Sequence, residues 1–424
     1  MEPCLSARQR ELVDLAGRLA DTFSDRAAAH DRDASFPFQN YDDLRESGYL
    51  GLTVPEELGG RGASLLELVL CQERLAMGDG STALAANMHV SPIGQLATLW
   101  RTARDEGLAE VLREAGEGRL IYASMSAEPE DPLLLDSSTI ATRVDGGFRV
   151  TGRKIFGTEE AVCTEFSTRA RYDDPERGAH VIFFRLSRDV EGMKVRSTWD
   201  TMGMRATQSN DFELEDVFVP DEAVFHSYPV GHFDAVMLKT VWGWAMPTFG
   251  AVYLGIGAGA LALAREWAQR RGRAGDPEVQ HLFAEMEVLL ETARAVLWRH
   301  CEETMSGALY TDLPVQQGMA RAVLAKYVAT NNAVAIVDRA LHAVGGAGYF
   351  RRFPLERMYR DVRAGPIMPY NNLDAHELFG KTSLGIQIAP EVPLDRSGHR
   401  RAEPEPGAIA RLAGSGSAAT EEGR

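Results

Sequence analysis

The stretch TIATRVDGGFRVTGRKIFGT, residues 139–158, marks a change of pattern along this chain. Residues typical of strands lie on both sides of Asp145-Gly146-Gly147, a combination typical of a tight hairpin turn. HVIFFRLS (180–187) and SNDFELEDVFVP (209–220) continue the strand character. The sequence therefore predicts a β domain over residues 119–230.

Helical periodicity appears on both sides of that segment. Before it, apolar residues recur every three or four positions in LVDLAGRLADTF (12–23) and SLLELVLCQERLAMG (64–78), which predicts an N-terminal helical domain over 1–118. After it, the same period runs through 281–300 and 319–344, and a last helix is expected near 376–386. These helices predict a C-terminal bundle over 231–387. Residues 388–424 are rich in Pro, Gly, Ser, Ala and charge, which predicts a disordered tail.

One apolar segment, residues 241–264, has no charged side chain and is long enough to span a bilayer. It contains Pro247 and five glycines, and no second such segment exists in the sequence. We therefore predict a helix buried at the centre of the bundle and no membrane span.

The composition of the chain argues against several classes of function. The chain has 424 residues with 45 Lys and Arg against 61 Asp and Glu, so its formal net charge of -16 argues against nucleic acid as a partner. Its four cysteines are far apart and show no metal-ligand spacing, so no metal site is predicted. The N-terminal residues lack the apolar core of a signal peptide, which favours a cytoplasmic protein.

Four segments in a fixed order are more specific than any of these patterns. They are GYLGLTVPEELGGRGAS (48–64), SAEP (126–129) with KIFGT (154–158), MGMRATQSNDFELEDVFVP (202–220) and LHAVGGAGYFRRFPLERMYRDVRAGPI (341–367). Over residues 8–387 the chain resembles the acyl-CoA dehydrogenase superfamily. The resemblance implies an α+β multidomain fold with a helical N-terminal domain, a barrel-like or sandwich β domain and a four-helix bundle. It also implies FAD, bound where a neighbouring subunit of a homodimer or homotetramer completes the site.

The resemblance also implies which residues touch the cofactor. Phe156 matches an aromatic residue that flanks the flavin ring, and Thr158 matches a hydroxyl that bonds flavin N5, the atom that receives the hydride. Gly345 and Gly346 match a loop that approaches the pyrophosphate, although glycines also end helices. For Arg271, the neighbours Arg270 and Arg273 are equal alternatives, and a solvated basic turn is the structural alternative. The remaining implied contacts are Ser126, Ala127, Arg205, Thr207 and His342.

The chain departs from this family at the catalytic base. Dehydrogenases of the family use a Glu just after the Ile of the RDxxxxxI stretch, and that position is Pro369 here. A minority take the Glu from the start of the central helix, which maps near Ala245 or Met246. Neither place has a carboxylate.

Three interpretations follow. The favoured one is a dehydrogenase of an acyl thioester, carried on CoA or an acyl carrier protein, that passes electrons to an acceptor protein or O2. Its relocated base would be Asp374, His376 or Glu377, residues that can equally be helix N-terminal charge and capping. The second is a monooxygenase of the same fold, which uses reduced flavin and O2 and needs no such base. The third is a non-catalytic flavoprotein.

The helix after the glycine loop carries alternating charges. Glu356 and Arg360 are four residues apart, as are Arg357 and Asp361. We predict two ion pairs along this helix, with a structural role.

Overall fold

The N-terminal part of the molecule is helical. The computed structural model describes residues 4–129, 134–235, 241–311 and 313–392. The first five helices are α1 (Ala7–Asp33), α2 (Phe38–Glu46), α3 (Leu65–Ala76), α4 (Gly80–Ala103) and α5 (Glu106–Gly116). Ser6 and Ser64 begin α1 and α3 with capping boxes, and the Asp79 side chain accepts from the first amides of α4.

One eight-stranded sheet follows. Its strands are β1 (Tyr122–Ser124), β2 (Ile140–Val144), β3 (Gly147–Lys154), β4 (Glu165–Asp174), β5 (Gly178–Ser187), β6 (Met193–Arg196), β7 (Asp211–Pro220) and β8 (Val224–Pro229). The spatial order is β6-β7-β3-β2-β4-β5-β8, and β1 pairs in parallel with β4. The predicted hairpin is confirmed, because β2 and β3 are antiparallel and Gly146 turns between them at φ +72°.

The C-terminal part is again helical. Its helices are α6 (Gly243–Arg270), α7 (Pro277–Met305), α8 (Ala308–Thr311), α9 (Val315–Val344), α10 (Pro354–Asp361) and α11 (Asn372–Ser383). Helix α11 begins four residues before the predicted His376, because the Asn371 side chain accepts from the amides of Leu373 and Asp374. The expected fold class is confirmed.

Helix α6 is the central helix that the apolar segment predicted. It packs against α9, α3, α4 and α7, and its most apolar window is 83% buried inside the molecule. Among the described residues it is the one helix that passes a length-and-hydropathy test for a membrane span. The apolar surface is instead covered by protein, as in the core helix of a bundle.

The start predicted for the disordered tail, residue 388, is too early in the sequence. Residues 388–392 are fixed, since Phe233 N donates to Pro390 O at 2.8 Å and Val392 N donates to Phe233 O at 2.9 Å. The Glu391 carboxylate accepts from the amide of Val315, which begins α9, at 2.7 Å. Hydrogen bonds with distant parts of the chain hold this segment, which its composition did not reveal. Residues 393–424 lie outside the described part of the chain.

Candidate flavin site

The loop after β3 joins three of the segments that carry the resemblance. Ile155 N donates to Ala127 O at 3.0 Å, and Gly157 N donates to Asn210 O at 2.8 Å. Phe156, between them, has φ +57° and leaves 48% of its surface exposed. A large side chain held in the left-handed region and turned toward solvent is a costly arrangement that is concentrated at functional sites.

A chain of buried hydroxyls begins at Thr158. Thr158 Oγ1 lies 2.7 Å from Ser209 Oγ, which lies 2.8 Å from Thr207 Oγ1. Thr207 Oγ1 in turn donates to Met204 O at 2.9 Å. The structure thus brings together the two predicted residues Thr158 and Thr207, and it adds Ser209 between them, for which the sequence analysis had no role.

Beneath this loop lies a buried group of charges. Glu128 forms ion pairs with Lys154 and Arg169, and the side chains of both cations are wholly buried. Lys154 Nζ also donates to Arg169 O at 2.7 Å, and Arg169 Nε donates to Ser126 O at 3.2 Å. Burial alone would raise the pKa of Glu128, but the charges of Lys154 and Arg169 outweigh it and lower that pKa from 4.5 to about 2.

This charged group holds SAEP against KIFGT, so it positions Ser126, Ala127 and Phe156. The sequence analysis missed its members, although a Glu and a Lys inside two of the quoted segments were a usable signal.

Arg205 has structural partners. Its Nε donates to Asp31 O and its terminal nitrogen donates to Thr201 O, both at 2.8 Å. These bonds tie the loop before β7 to the end of α1. Arg205 therefore supports the hydroxyl chain from outside, and its guanidinium is occupied by backbone carbonyls.

The other predicted cofactor residues lie at one end of the bundle. His342, Gly345 and Gly346 are exposed at the end of α9, and a side chain built on either glycine would meet nothing within 4 Å. Arg271 lies over the ring of Trp267, 4.6 Å from its centre, and Trp267 packs edge-on against Phe353 at 5.2 Å. The end of α6 and the segment after the glycine loop are thus neighbours.

The family's base position is occupied by a residue without acid–base chemistry. Pro369 is exposed and has neither a titratable side chain nor an N–H group to donate. Lys326 of α9 holds the backbone on both sides of it, since Nζ donates to Met368 O at 2.7 Å and to Tyr370 O at 2.8 Å. Burial lowers the pKa of Lys326 to about 7.

Two packed tryptophans come just before the alternative base position, which is near Ala245 or Met246. Trp242 meets Tyr370 edge-on at 5.6 Å. Trp244 lies directly against Gly94 of α4, where an added Cβ would come within 2.0 Å of its ring. Ala245 and Met246 follow these two tryptophans directly in the sequence and offer no carboxylate.

The three candidate relocated bases have other partners. Asp374 accepts from the Asn371 side chain at 2.6 Å, at the start of α11. His376 Nε2 lies 2.8 Å from the Tyr327 hydroxyl, and Glu377 forms an exposed ion pair with Lys381 one turn later. These contacts match the helix-terminal and surface roles that the sequence left open for them.

Both ion pairs predicted for α10 are present. Arg360 Nε lies 2.7 Å from Glu356 Oε1, and Arg357 lies 3.7 Å from Asp361. Asp361 also accepts from Met204 N at 2.6 Å, and burial raises its pKa to about 6. Since Met204 ends the hydroxyl chain, α10 anchors that chain to the bundle.

Comparison with known proteins identifies the family. The model of the acyl-CoA dehydrogenase N-terminal domain matches residues 6–119, and that of the C-terminal domain matches residues 238–369. The chain belongs to the acyl-CoA dehydrogenase family. Members of this family are flavin enzymes, and FAD is their usual cofactor.

The similar proteins include a putative dehydrogenase and a nitrososynthase. A putative acyl-CoA dehydrogenase, YdbM of Bacillus subtilis (strain 168), is 33% identical over 84% of this chain and 92% of its own length. The amino sugar nitrososynthase DnmZ of Streptomyces peucetius is 32% identical over 89% of this chain and 93% of its own.

A solved structure is also similar to this chain. KijD3 in complex with FMN and dTDP-3-amino-2,3,6-trideoxy-4-keto-3-methyl-D-glucose is 30% identical. It has a TM-score of 0.80 and covers 91% of this chain and 95% of that one. Family members similar to this chain therefore include both dehydrogenase-like and nitrososynthase proteins.

The residues present fit a flavin. Thr158 has one hydroxyl partner among the described residues, Ser209, so its second lone pair can accept another hydrogen bond. Phe156 offers an exposed ring beside it. Gly345 and Gly346 leave open space where backbone amides can approach a phosphate.

Proposed function

We propose that this protein is a flavin-dependent monooxygenase that oxygenates an amine. The observation that carries the proposal is Pro369, because α-proton abstraction needs a base where proline has none. The second place from which the family supplies a base, near Ala245 or Met246, has no carboxylate either. Oxygen transfer from O2 requires no carboxylate at either position.

The chain's own residues would bind and orient the cofactor. Reduced flavin, when bound, supplies the two electrons with which one oxygen atom of O2 enters the substrate and the other becomes water. Phe156 would flank the ring, and Thr158 would bond N5. Gly345, Gly346, His342 and Arg271 would receive the phosphates, and the segment around Ser126 and Ala127 would lie against the pyrimidine part of the flavin. Arg205, Glu128 and Lys326 would hold these segments in place.

The proposal of an amine substrate is based on two similar proteins. DnmZ is named for amino sugars, and KijD3 was solved with a nucleotide-linked amino sugar. Both align with about nine-tenths of this chain. We therefore propose an amine, such as an amino sugar, as the substrate class.

An acyl-thioester dehydrogenase is the second candidate, and the similarity to YdbM favours it. It would require Asp374, His376 or Glu377 to take an α-proton, and each of these side chains already has a partner within or next to α11. The reduced flavin would then pass its electrons to an acceptor protein or O2.

One pair of assays separates the candidates. The FAD-loaded protein is made anaerobic and mixed with acyl-CoA and acyl-carrier thioesters while flavin absorbance is followed. In parallel, it receives reduced flavin from a reductase, O2 and a panel of amines that includes nucleotide-linked amino sugars. We expect no bleaching by any thioester, and a product heavier by one oxygen atom in the second assay.

Bleaching by a thioester would contradict the proposal. Loss of that bleaching in Asp374→Asn, His376→Gln or Glu377→Gln, with FAD still bound, would then identify the base. Oxygenation that persists in all three variants agrees with the roles that the structure gives these residues.

We also propose that the protein is a cytoplasmic homodimer or homotetramer. Gly345 and Gly346 are uncovered, and Tyr349, just after them, leaves 83% of its surface exposed. A second subunit would cover this end of the bundle. Light scattering should give a mass of two or four chains, and a stable monomer with full flavin occupancy would contradict this.

A further inference from the structure

The hydroxyl chain from Thr158 to Met204 contains a fixed number of hydrogens. The three side chains, Thr158, Ser209 and Thr207, carry one hydroxyl hydrogen each. The chain ends on the Met204 carbonyl, which can only accept and also receives Trp199 Nε1 at 3.1 Å. All three hydroxyls are buried, so bulk water does not supply further hydrogens.

A flavin bonded to Thr158 through N5 lengthens the row to four contacts. These are N5 to Thr158, Thr158 to Ser209, Ser209 to Thr207, and Thr207 to Met204 O. Reduced flavin brings an N5–H, so four hydrogens serve four contacts and every hydroxyl donates toward Met204. N5 of oxidised flavin has a lone pair and no hydrogen, so three hydrogens must serve four contacts. One of the four contacts then joins two acceptor atoms with no hydrogen between them.

We propose that Thr158, Ser209 and Thr207 form a directional hydroxyl chain that makes this site bind reduced flavin in preference to oxidised flavin. The inference rests on the proposed function, because a monooxygenase that receives its flavin already reduced needs this preference. It adds Ser209 and Thr207 as positioning residues that act on flavin N5 through Thr158.

Removing one hydroxyl from the hydroxyl chain reverses which redox state of the flavin has matched hydrogen bonds. In Ser209→Ala two contacts remain, N5 to Thr158 and Thr207 to Met204 O, and two hydroxyl hydrogens serve them. Oxidised flavin is then satisfied. Reduced flavin brings a third hydrogen and leaves one buried hydroxyl without an acceptor. Thr207→Val has the same consequence at the far end of the chain. Each unmatched hydrogen-bonding group costs about tenfold in affinity, and the substitution removes one from the oxidised state and adds one to the reduced state, so the preference for reduced flavin should fall about a hundredfold.

The readout is the midpoint potential of FAD on the full-length protein, measured anaerobically without substrate. Preference for reduced flavin raises this potential above that of free FAD, and a tenfold loss of preference lowers it by about 30 mV for two electrons. We expect a raised potential in the wild type and a drop of about 60 mV, the equivalent of a hundredfold loss, in both Ser209→Ala and Thr207→Val.

Thr168→Val is the matched control. Thr168 is a buried threonine of the same sheet whose hydroxyl has no hydrogen-bond partner among the described residues. Its removal should leave the potential unchanged. A role of Ser209 in folding alone would not produce the same shift in Thr207→Val.

A wild-type potential at or below that of free FAD would overturn the proposal without any variant. Potentials equal to wild type in both variants would also overturn it. Since no substrate or O2 is present, these results are separate from the oxygenation assay. A raised, Ser209-dependent potential in a protein that thioesters bleach would reject the proposed function and leave the hydroxyl chain standing.

Discussion

Single residues determine how the flavin loop is held, and Glu128 is the clearest case. Its carboxylate lies between the wholly buried cations Lys154 and Arg169. Glu128→Gln would remove the carboxylate charge that faces both buried cations. We expect a loss of about 3–5 kcal/mol in the free energy of unfolding, measured by urea denaturation at pH 7.

The free energy of unfolding at acid pH should also depend on the Glu128 carboxylate. Its folded-state pKa of about 2 lies below its ordinary value of 4.5, so the unfolded chain binds more protons between these values. The stability that Glu128 contributes is therefore present above pH 4.5 and is lost as the pH falls toward 2. The difference in unfolding free energy between wild type and Glu128→Gln should shrink over that range. A constant difference would contradict this assignment.

Lys326 should also make stability rise with pH, but over an alkaline range. Its folded-state pKa of about 7 lies below the ordinary 10.5, so the unfolded chain binds the extra proton between these values and stability rises with pH. The unfolding free energy of wild type relative to Lys326→Met should increase from pH 7 to pH 10. Lys381→Met, at a partly exposed lysine of α11, serves as the control and should show no such increase.

At the scale of elements, α4 packs closely against α6. Gly94 allows it, because an added Cβ would lie 2.0 Å from the Trp244 ring. Gly94→Ala must move that tryptophan, which is 2% exposed. We expect a loss of about 1–3 kcal/mol in the free energy of unfolding, measured by urea denaturation.

Gly380→Ala is the matched substitution for this prediction. Gly380 lies within α11, and a Cβ there meets nothing within 4 Å. Because alanine is the better helix former, this variant should gain up to about 1 kcal/mol. Equal effects of the two substitutions would show that steric contact with Trp244 is not the cause in Gly94→Ala.

At the scale of the whole molecule, residues 388–392 connect the chain's end to the start of α9 and to Phe233. A chain ending at Gln387 loses at least five hydrogen bonds and the burial of Ala389. We expect its thermal midpoint to fall by several degrees. A chain ending at Val392 keeps these contacts and should unfold at the wild-type temperature.

The sequence predicted some of the site through local pattern. The hairpin at Gly146 follows from turn chemistry, and the pairs of α10 follow from the spacing of charges along a helix. The stretch of α6 within 243–264 was predicted from its composition alone. In contrast, Ser209 gained a role only when the fold placed it between Thr158 and Thr207.

By itself, the sequence determined the order of helical and β segments, the family resemblance and the lack of a carboxylate at Pro369, because periodicity, motif order and residue identity are properties of the chain. Only the tertiary structure decided how these residues act together. It buried Glu128 between two cations, brought His376 to Tyr327 of α9, and aligned three hydroxyls on Met204. Burial, charge proximity and hydrogen-bond direction depend on residues far apart in sequence, so local pattern does not contain them.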